Sequence, residues 1–271
     1  MDYQQLQDLN REIRLDLMNM FCHSKSGHPG GSLSSIEIIS TLYNKVMRVD
    51  PVNPQWPERD RFVFSKGHGA PALYAVLAHK GFFPVEELTT FRKYGSRLQG
   101  HPDSKKTPGV DASTGSLGQG VSIAVGFALG ARLAGKDYHT YVLLGDGEMQ
   151  EGQVWEAAMA AAHYQLDNLT FILDNNGLQI DGTNEQVMSL GDIHLKMAAF
   201  GFKVIEVDGH NPQQLEKAFQ VKVSGQPKFI LAHTVKGKGV SFMENQVGWH
   251  GKAPNDEEVD KAVCELGGVK K

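Results

Sequence analysis

From residue 140 onward the sequence alternates short β-branched runs with longer helical patterns, and this alternation limits the possible folds more than any other feature. TYVLLGD reads as a strand entering a loop, EGQVWEAAMAAAHY as a helix, LTFILDNN as a strand and DIHLKMAAFG as a helix; KVIEVDG, PQQLEKAFQVKV and KFILAHTV then repeat strand, helix, strand. Helical crossovers of this kind join parallel strands, so the order implies β-α-β units in an α/β fold: a mostly parallel sheet with helices on both faces. Upstream, Leu6, Leu9, Ile13, Leu17 and Met20 recur every three or four residues and predict an amphipathic helix over 3–22. The stretch 50–60, DPVNPQWPERD, holds three prolines and reads as an irregular excursion. With no repeat and no clear boundary, one domain over 1–271 is expected.

Charge narrows the partners. The chain has 27 Lys plus Arg against 31 Asp plus Glu, a net charge of −4, and no long basic run. The electrostatic footprint of a nucleic-acid binder is missing, and a small-molecule partner is expected. Cys22 and Cys264 show no C-x-x-C spacing and cannot build a disulfide framework, which suits a reducing compartment. The first residues are acidic and amphipathic, unlike a secretory signal, so a cytoplasmic location is expected. Ala112 to Ala131 carries no charge, but its first half, ASTGSLGQG, is polar and leaves too few apolar residues for a membrane span. It reads as a glycine loop entering a helix buried on several sides, with Gly126 and Gly130 allowing close packing.

In a parallel sheet ligands sit at the carboxyl ends of the strands. Two such ends are Gly145-Asp146-Gly147-Glu148 and Asp174-Asn175-Asn176-Gly177. Asp146 and Asn176 are 30 residues apart, the length of one strand-helix-strand crossover, so both should reach the same rim. A carboxylate, an amide oxygen and a nearby loop carbonyl form a hard oxygen set suited to Mg²⁺ or Ca²⁺, and Mg²⁺ usually completes its shell with phosphate and water. A diphosphate ligand is implied, and Gly147 would let it approach a backbone N–H. A GDG alone is equally a plain strand-end turn; the spacing favours the ligand reading.

Four of the 11 histidines sit in glycine- or proline-flanked loops: Ser26-Gly27-His28-Pro29, Lys66-Gly67-His68-Gly69, Gly100-His101-Pro102 and Trp249-His250-Gly251. On a stiff turn, histidine can hydrogen-bond a phosphate or sugar hydroxyl and move protons. A zinc site is the alternative, but H-E-x-x-H, H-x-H and cysteine pairs are absent. A dinucleotide site is another, yet Gly118-Gln119-Gly120 follows no convincing strand and no P-loop is present. The other histidines, such as His79, His139, His163 and His194, read as solvated or core residues.

The segments SGHPGGSLS, DRFVFSKGHGAPALYAVL, QGHPD, TGSLGQG, LLGDGEMQEGQVWEA, LDNNGLQIDG, VDGHN, KGKGVSFME and WHGKAP occur in this order across nearly the whole chain. Together the sequence resembles the N-terminal, diphosphate-binding half of transketolases. GDG with a distant Asn is the general thiamine diphosphate signature, while SGHPG, KGHG and GHP are specific to transketolase-like enzymes. The resemblance implies the thiamine-diphosphate-binding (PP-domain) fold. It also implies that Asp146, Asn176 and the Leu178 carbonyl hold Mg²⁺, for which Ca²⁺ or Mn²⁺ can substitute. His68, Gly147, Asn176 and His250 would contact the cofactor, Lys66 and Lys252 would add positive charge, and Gly115 and Leu117 would line its rings. His28, His101 and His250 would face the substrate as catalytic groups, and Glu151 and Glu156 match acidic residues that connect two active sites across a dimer interface.

The implied activity is transfer of a two-carbon glycolaldehyde unit from a ketose, or ketose phosphate, to an aldose or aldose phosphate. Transketolases are much longer than this chain. The resemblance therefore implies a separate C-terminal subunit that carries the pyrimidine-binding domain, the activating glutamate and the sugar-phosphate contacts, in a heterotetramer of two copies each. The chain alone is expected to be inactive. After Lys252 the sequence reads as one acidic helix and a tail. The alternatives are a half-protein that binds the cofactor or partner without activity, and a related synthase such as a 1-deoxyxylulose-phosphate or dihydroxyacetone synthase. The KGHGAP and WHGKAP contexts look more like transketolase proper, and the motifs leave the donor, the acceptor and the pathway open.

Overall fold

Among the described residues five strands form one sheet in the order β1-β2-β3-β5-β4, every neighbouring pair parallel. They are β1 (Arg61–Phe64), β2 (Thr140–Gly145), β3 (Leu169–Asn175), β4 (Lys203–Asp208) and β5 (Lys228–His233). This computed structural model describes residues 1–268; the end of the expected tail, 269–271, lies outside the described residues. The helices are α1 (Tyr3–Ser24), α2 (Pro29–Leu33), α3 (Ile36–Thr41), α4 (Ala70–Lys80), α5 (Gln119–Leu133), α6 (Gly152–His163), α7 (Asn184–Val187), α8 (Ile193–Ala199), α9 (Pro212–Gln220) and α10 (Asp256–Glu265).

β1, β2, β3 and β5 read as nearly continuous apolar runs because both their faces are covered, whereas the edge strand β4 leaves Lys203, Glu206 and Asp208 exposed. Val63, Val142, Leu144, Phe171, Leu173 and Phe229 enter the core built with α5, α6 and α8. Their neighbours Phe62, Phe64, Tyr141, Leu143, Ile172 and Ile230 enter the other core, with α1, α3, α4, α9 and α10. Register pairs Gly145 with Asp174, and Asn175 with His233. The carboxyl ends of β2, β3 and β5 are thus level, and the loops leaving them share one rim. Residues 50–60 hold no helix or strand, as expected, and Asp60 closes the excursion by accepting from the backbone N–H of Arg48 at 2.7 Å and of His139 at 2.9 Å.

The expectation for α5 needs correction. Its Gly120, Val121, Ala124, Val125, Ala128 and Ala131 are buried, but Gly126 is exposed and a Cβ there would meet nothing within 4 Å. Gly130 is half-buried, and a Cβ there would meet only the Tyr138 hydroxyl, at 4.0 Å. Within this chain neither glycine serves close packing, because only one stripe of this all-round apolar helix meets the sheet, and Leu133 stands exposed on α5. Among the described residues no helix is long and apolar enough to cross a membrane.

Candidate active site

The loop leaving β1 places Lys66 and His68. Gly67 between them makes a close approach: a Cβ there would lie 2.9 Å from the backbone N of Gly115 and C of Thr114. The glycine loop before α5 therefore lies directly on the His68 turn. Gly115 in turn faces His101, whose ring carbons would lie 3.1 Å from a Cβ at that position. Leu117 follows, half-buried, in the turn before α5.

His28, His68 and His250 come from three separate loops and pack ring against ring. Centroids are 5.3 Å apart for His28 and His68, 5.6 Å for His28 and His250, and 5.3 Å for the stacked His68 and His250. Burial, reinforced by surrounding positive charge, lowers His28 and His250 to about 4 and His68 well below its ordinary value. The three rings are neutral near pH 7, so each offers one donor and one acceptor nitrogen. His101 stands exposed at the rim, its pKa also lowered by burial and then by Arg92.

Two buried lysines border this cluster. Lys66 pairs with the fully buried Asp174 and donates to the Gly31 carbonyl at 2.8 Å. Lys236, just beyond β5, donates to the Leu178 carbonyl at 2.8 Å and lies 3.0 Å from His250 Nδ1. An ammonium can only donate, so that nitrogen accepts and His250 carries its proton on Nε2. Burial lowers Lys236 to about 8.

Lys252, the cation expected here, is instead exposed. It pairs with Glu258 at 3.0 Å and lies over the Trp249 ring. Nothing in the periodicity separates the two lysines; the signal for Lys236 was its place as the first residue of glycine-rich KGKG, just after a strand ends.

On the β2–β3 side, Asp146 accepts from the Gly147 N–H at 2.8 Å and the Gly177 N–H at 2.5 Å. Burial, then the nearby Asp174, pushes its carboxyl up against these hydrogen bonds. Asn176 Oδ1 accepts from the Leu178 N–H at 3.3 Å, so Asp146, Asn176 and Leu178 share one tight loop system. Among the described residues no cluster of three or more His, Cys, Asp or Glu is arranged for a metal. A cation here would be held by a mixed oxygen set, and the Leu178 carbonyl already faces one positive charge. Asp174 and Glu148 were missed as organisers. Glu148 is buried and accepts from Ser65, from the Gly118 N–H at 2.9 Å and from the Gly145 N–H at 3.1 Å, joining the glycine loop to the strand ends.

Glu151 and Glu156 lie apart from the imidazoles, exposed at the start of α6 and on its outer side. Glu151 packs beside Gly118, whose Cβ would come within 2.8 Å of its own.

Residues 5–270 match the family described as transketolase, thiamine diphosphate binding domain. A 6-deoxy-6-sulfo-D-fructose transketolase subunit from Clostridium sp. (strain MSTE9) is 47% identical over 242 residues, covering 89% of this chain and 88% of that one. An apulose-4-phosphate transketolase subunit from Phocaeicola vulgatus is 42% identical over 268 residues, covering 98% and 95%. Human transketolase is 44% identical over 97% of this chain, which spans only 42% of the human protein. Among solved structures, Campylobacter jejuni transketolase superposes with a TM-score of 0.93 at 36% identity, over 99% of this chain and 43% of that one.

Proposed function

The chain belongs to the transketolase family through its thiamine diphosphate-binding domain, and from that membership we propose that it is the N-terminal subunit of a two-subunit transketolase. With a C-terminal partner it would move a glycolaldehyde unit from a ketose to an aldose. The observation that carries this reading is the convergence, on one strand-end rim, of a hard oxygen set, a buried ammonium and a neutral imidazole trio. The two subunit-named relatives support it further, since this chain spans 88% and 95% of their lengths.

Bound thiamine diphosphate supplies the nucleophilic carbon and the electron sink for breaking a ketose between C2 and C3. Asp146, Asn176 and the Leu178 carbonyl hold the divalent cation, Mg²⁺ with Ca²⁺ or Mn²⁺ as substitutes, a set that fits hard oxygen chemistry. His68, His250, Asn176 and the Gly147 backbone contact the diphosphate, with Lys236 and the Asp174-paired Lys66 as the nearby cations. Gly115 and Leu117 border the rings. His28, His101 and His250 face the sugar. A neutral imidazole matches a hydroxyl, which also donates once and accepts, and it can hold a proton as the bond breaks.

Glu151 and Glu156, exposed on this chain, belong to the interface in an assembly of two copies of each subunit. The relatives' names point to ketoses with a phosphate or sulfonate at the far end, gripped by the partner, in a cytoplasmic sugar pathway. The test is co-purification with the C-terminal partner and transfer assays on phosphorylated and sulfonated ketoses. Transfer is expected only with both chains, thiamine diphosphate and Mg²⁺ present, and Asp146→Asn should lose metal-dependent cofactor affinity. Full transfer by this chain alone, or unchanged affinity in that variant, would overturn the reading.

A further inference from the structure

Arg92 lies between the loops that carry His28 and His101, and no motif gives it a role. Its φ is 59°, in the left-handed region. A bulky residue persists there only where its surroundings over-determine it. Those surroundings are both histidine loops. Its backbone N–H donates to the Leu98 carbonyl at 2.8 Å. Its guanidinium donates to the Ser26 hydroxyl, two residues before His28. Its Nε and Nη2 lie against Gly100, directly before His101, where a Cβ would come within 2.9 Å of both.

Among the described residues no carboxylate pairs with this guanidinium in a salt bridge, and its Nε is buried without a hydrogen-bond partner. His28 Nδ1 is likewise buried and unpartnered. Buried polar groups are normally satisfied, so an orphaned guanidinium nitrogen and an orphaned imidazole nitrogen set this seam apart from the paired charges of the core.

We propose that Arg92 is the positioning residue of the sugar side: it fixes the His28 loop against the His101 loop, so that both imidazoles meet one sugar at a set spacing. This rests on reading the pocket as half of a transketolase site. The electrostatics agree. After burial, Arg92 is the foremost charge lowering both His28 and His101. His28 is otherwise faced by His101 and Lys236, and by the rings of His68 and His250, so no anion offsets the guanidinium.

The experiment compares Arg92→Met and Arg92→Lys in the full chain, assembled with its C-terminal partner for kinetics and isotope-labelled for imidazole NMR. In Arg92→Met the ketose KM should rise by roughly tenfold while cofactor affinity stays within about twofold, because misplaced side chains penalise the substrate they position. The His28 and His101 titrations should move up by roughly one pH unit, and that of the distant His139 should stay in place. Arg92→Lys keeps the charge but not the fork, so it should restore the titrations and leave KM raised. Cofactor affinity and KM worsening together would show a general scaffold residue and overturn the proposal, as would unmoved His28 and His101 titrations. The titrations need no transfer activity, so an inactive wild-type complex would overturn the proposed function while Arg92 is still judged.

Discussion

Lys66→Met would expose how much the rim depends on one buried charge pair. Both side chains are almost wholly buried, at 2% and 0% exposure for Lys66 and Asp174. Burial alone would push the Asp174 carboxyl up, but the Lys66 charge and hydrogen bonds from Lys66, Ser34 and Thr234 hold it below its ordinary 3.8. Methionine refills most of the lysine stem, so the main loss is the counter-charge. Leaving one member of such a pair buried costs about 3–5 kcal/mol, whereas replacing both by neutral groups is often close to neutral. For a chain of this size each kcal/mol moves Tm by about 2–4 °C, so Lys66→Met should melt roughly 6–20 °C lower.

The assay is circular-dichroism melting and urea unfolding of Lys66→Met, Asp174→Asn and the double variant near neutral pH, repeated in mild acid. A depressed carboxyl pKa contributes stability above its unfolded value, and that contribution is lost as pH falls through the folded value. Without Lys66 the carboxyl titrates higher, so Lys66→Met should recover relative to wild type as the medium is acidified. Single variants within about 1 kcal/mol of wild type, or a double variant as damaged as the sum of the singles, would refute the reasoning.

Two further outcomes follow from the same geometry. His28 and His250 titrate near 4 and His139 near 3, against an ordinary 6.5. Between those values the unfolded chain binds more protons, so stability should fall as pH drops below about 6.5, and His250→Asn should flatten the slope; denaturant midpoints across this range check it. A Cβ at exposed Gly126 would meet nothing within 4 Å in this chain, so Gly126→Arg should shift its own stability by less than about 1 kcal/mol. Assembly should be lost if α5 docks a partner, and unchanged co-sedimentation with the C-terminal partner would place the interface elsewhere.

The parallel sheet was legible because β2, β3 and β5 are apolar runs bounded by turn residues, β4 is a short β-branched run, and their neighbouring helices have a different period. β1 was harder: Arg61–Phe64 is four residues long, and its period-2 burial is hidden because both faces are apolar. The outward face of α5 was misread for a related reason. Hydrophobicity around a helix does not say which of its faces this chain itself covers. At the site, Asp146, Asn176 and the looped histidines could be found from strand-end position and glycine context. Lys236 shared that signal, but its role, like those of Asp174, Glu148 and Arg92, depends on partners distant in sequence, such as Leu178 for Lys236 and Ser26 for Arg92.

Those four residues also separate scaffold from machinery. Asp174 and Glu148 are buried carboxylates whose oxygens are taken by Lys66 and Thr234, or by Ser65 and two backbone N–H groups. Lys228, at the amino end of β5 and so at the opposite end of the strands, is a buried cation explained within the fold: its ammonium closes the end of α9 on the Phe219 and Val221 carbonyls, at 2.6 and 3.0 Å. Lys236 and Arg92 differ. Each lies at the rim beside a neutral imidazole, with a carbonyl or a hydroxyl in place of a carboxylate. Asp146 and Asp174 act on the charge of Lys236 without bonding to it, and Arg92 is only half-buried, so both cations keep hydrogen-bonding capacity that no carboxylate takes up. On that criterion the proposed ligand side is the rim from Leu178 through His250 and His28 to Arg92, with the carboxylate-paired Lys66 behind it as support.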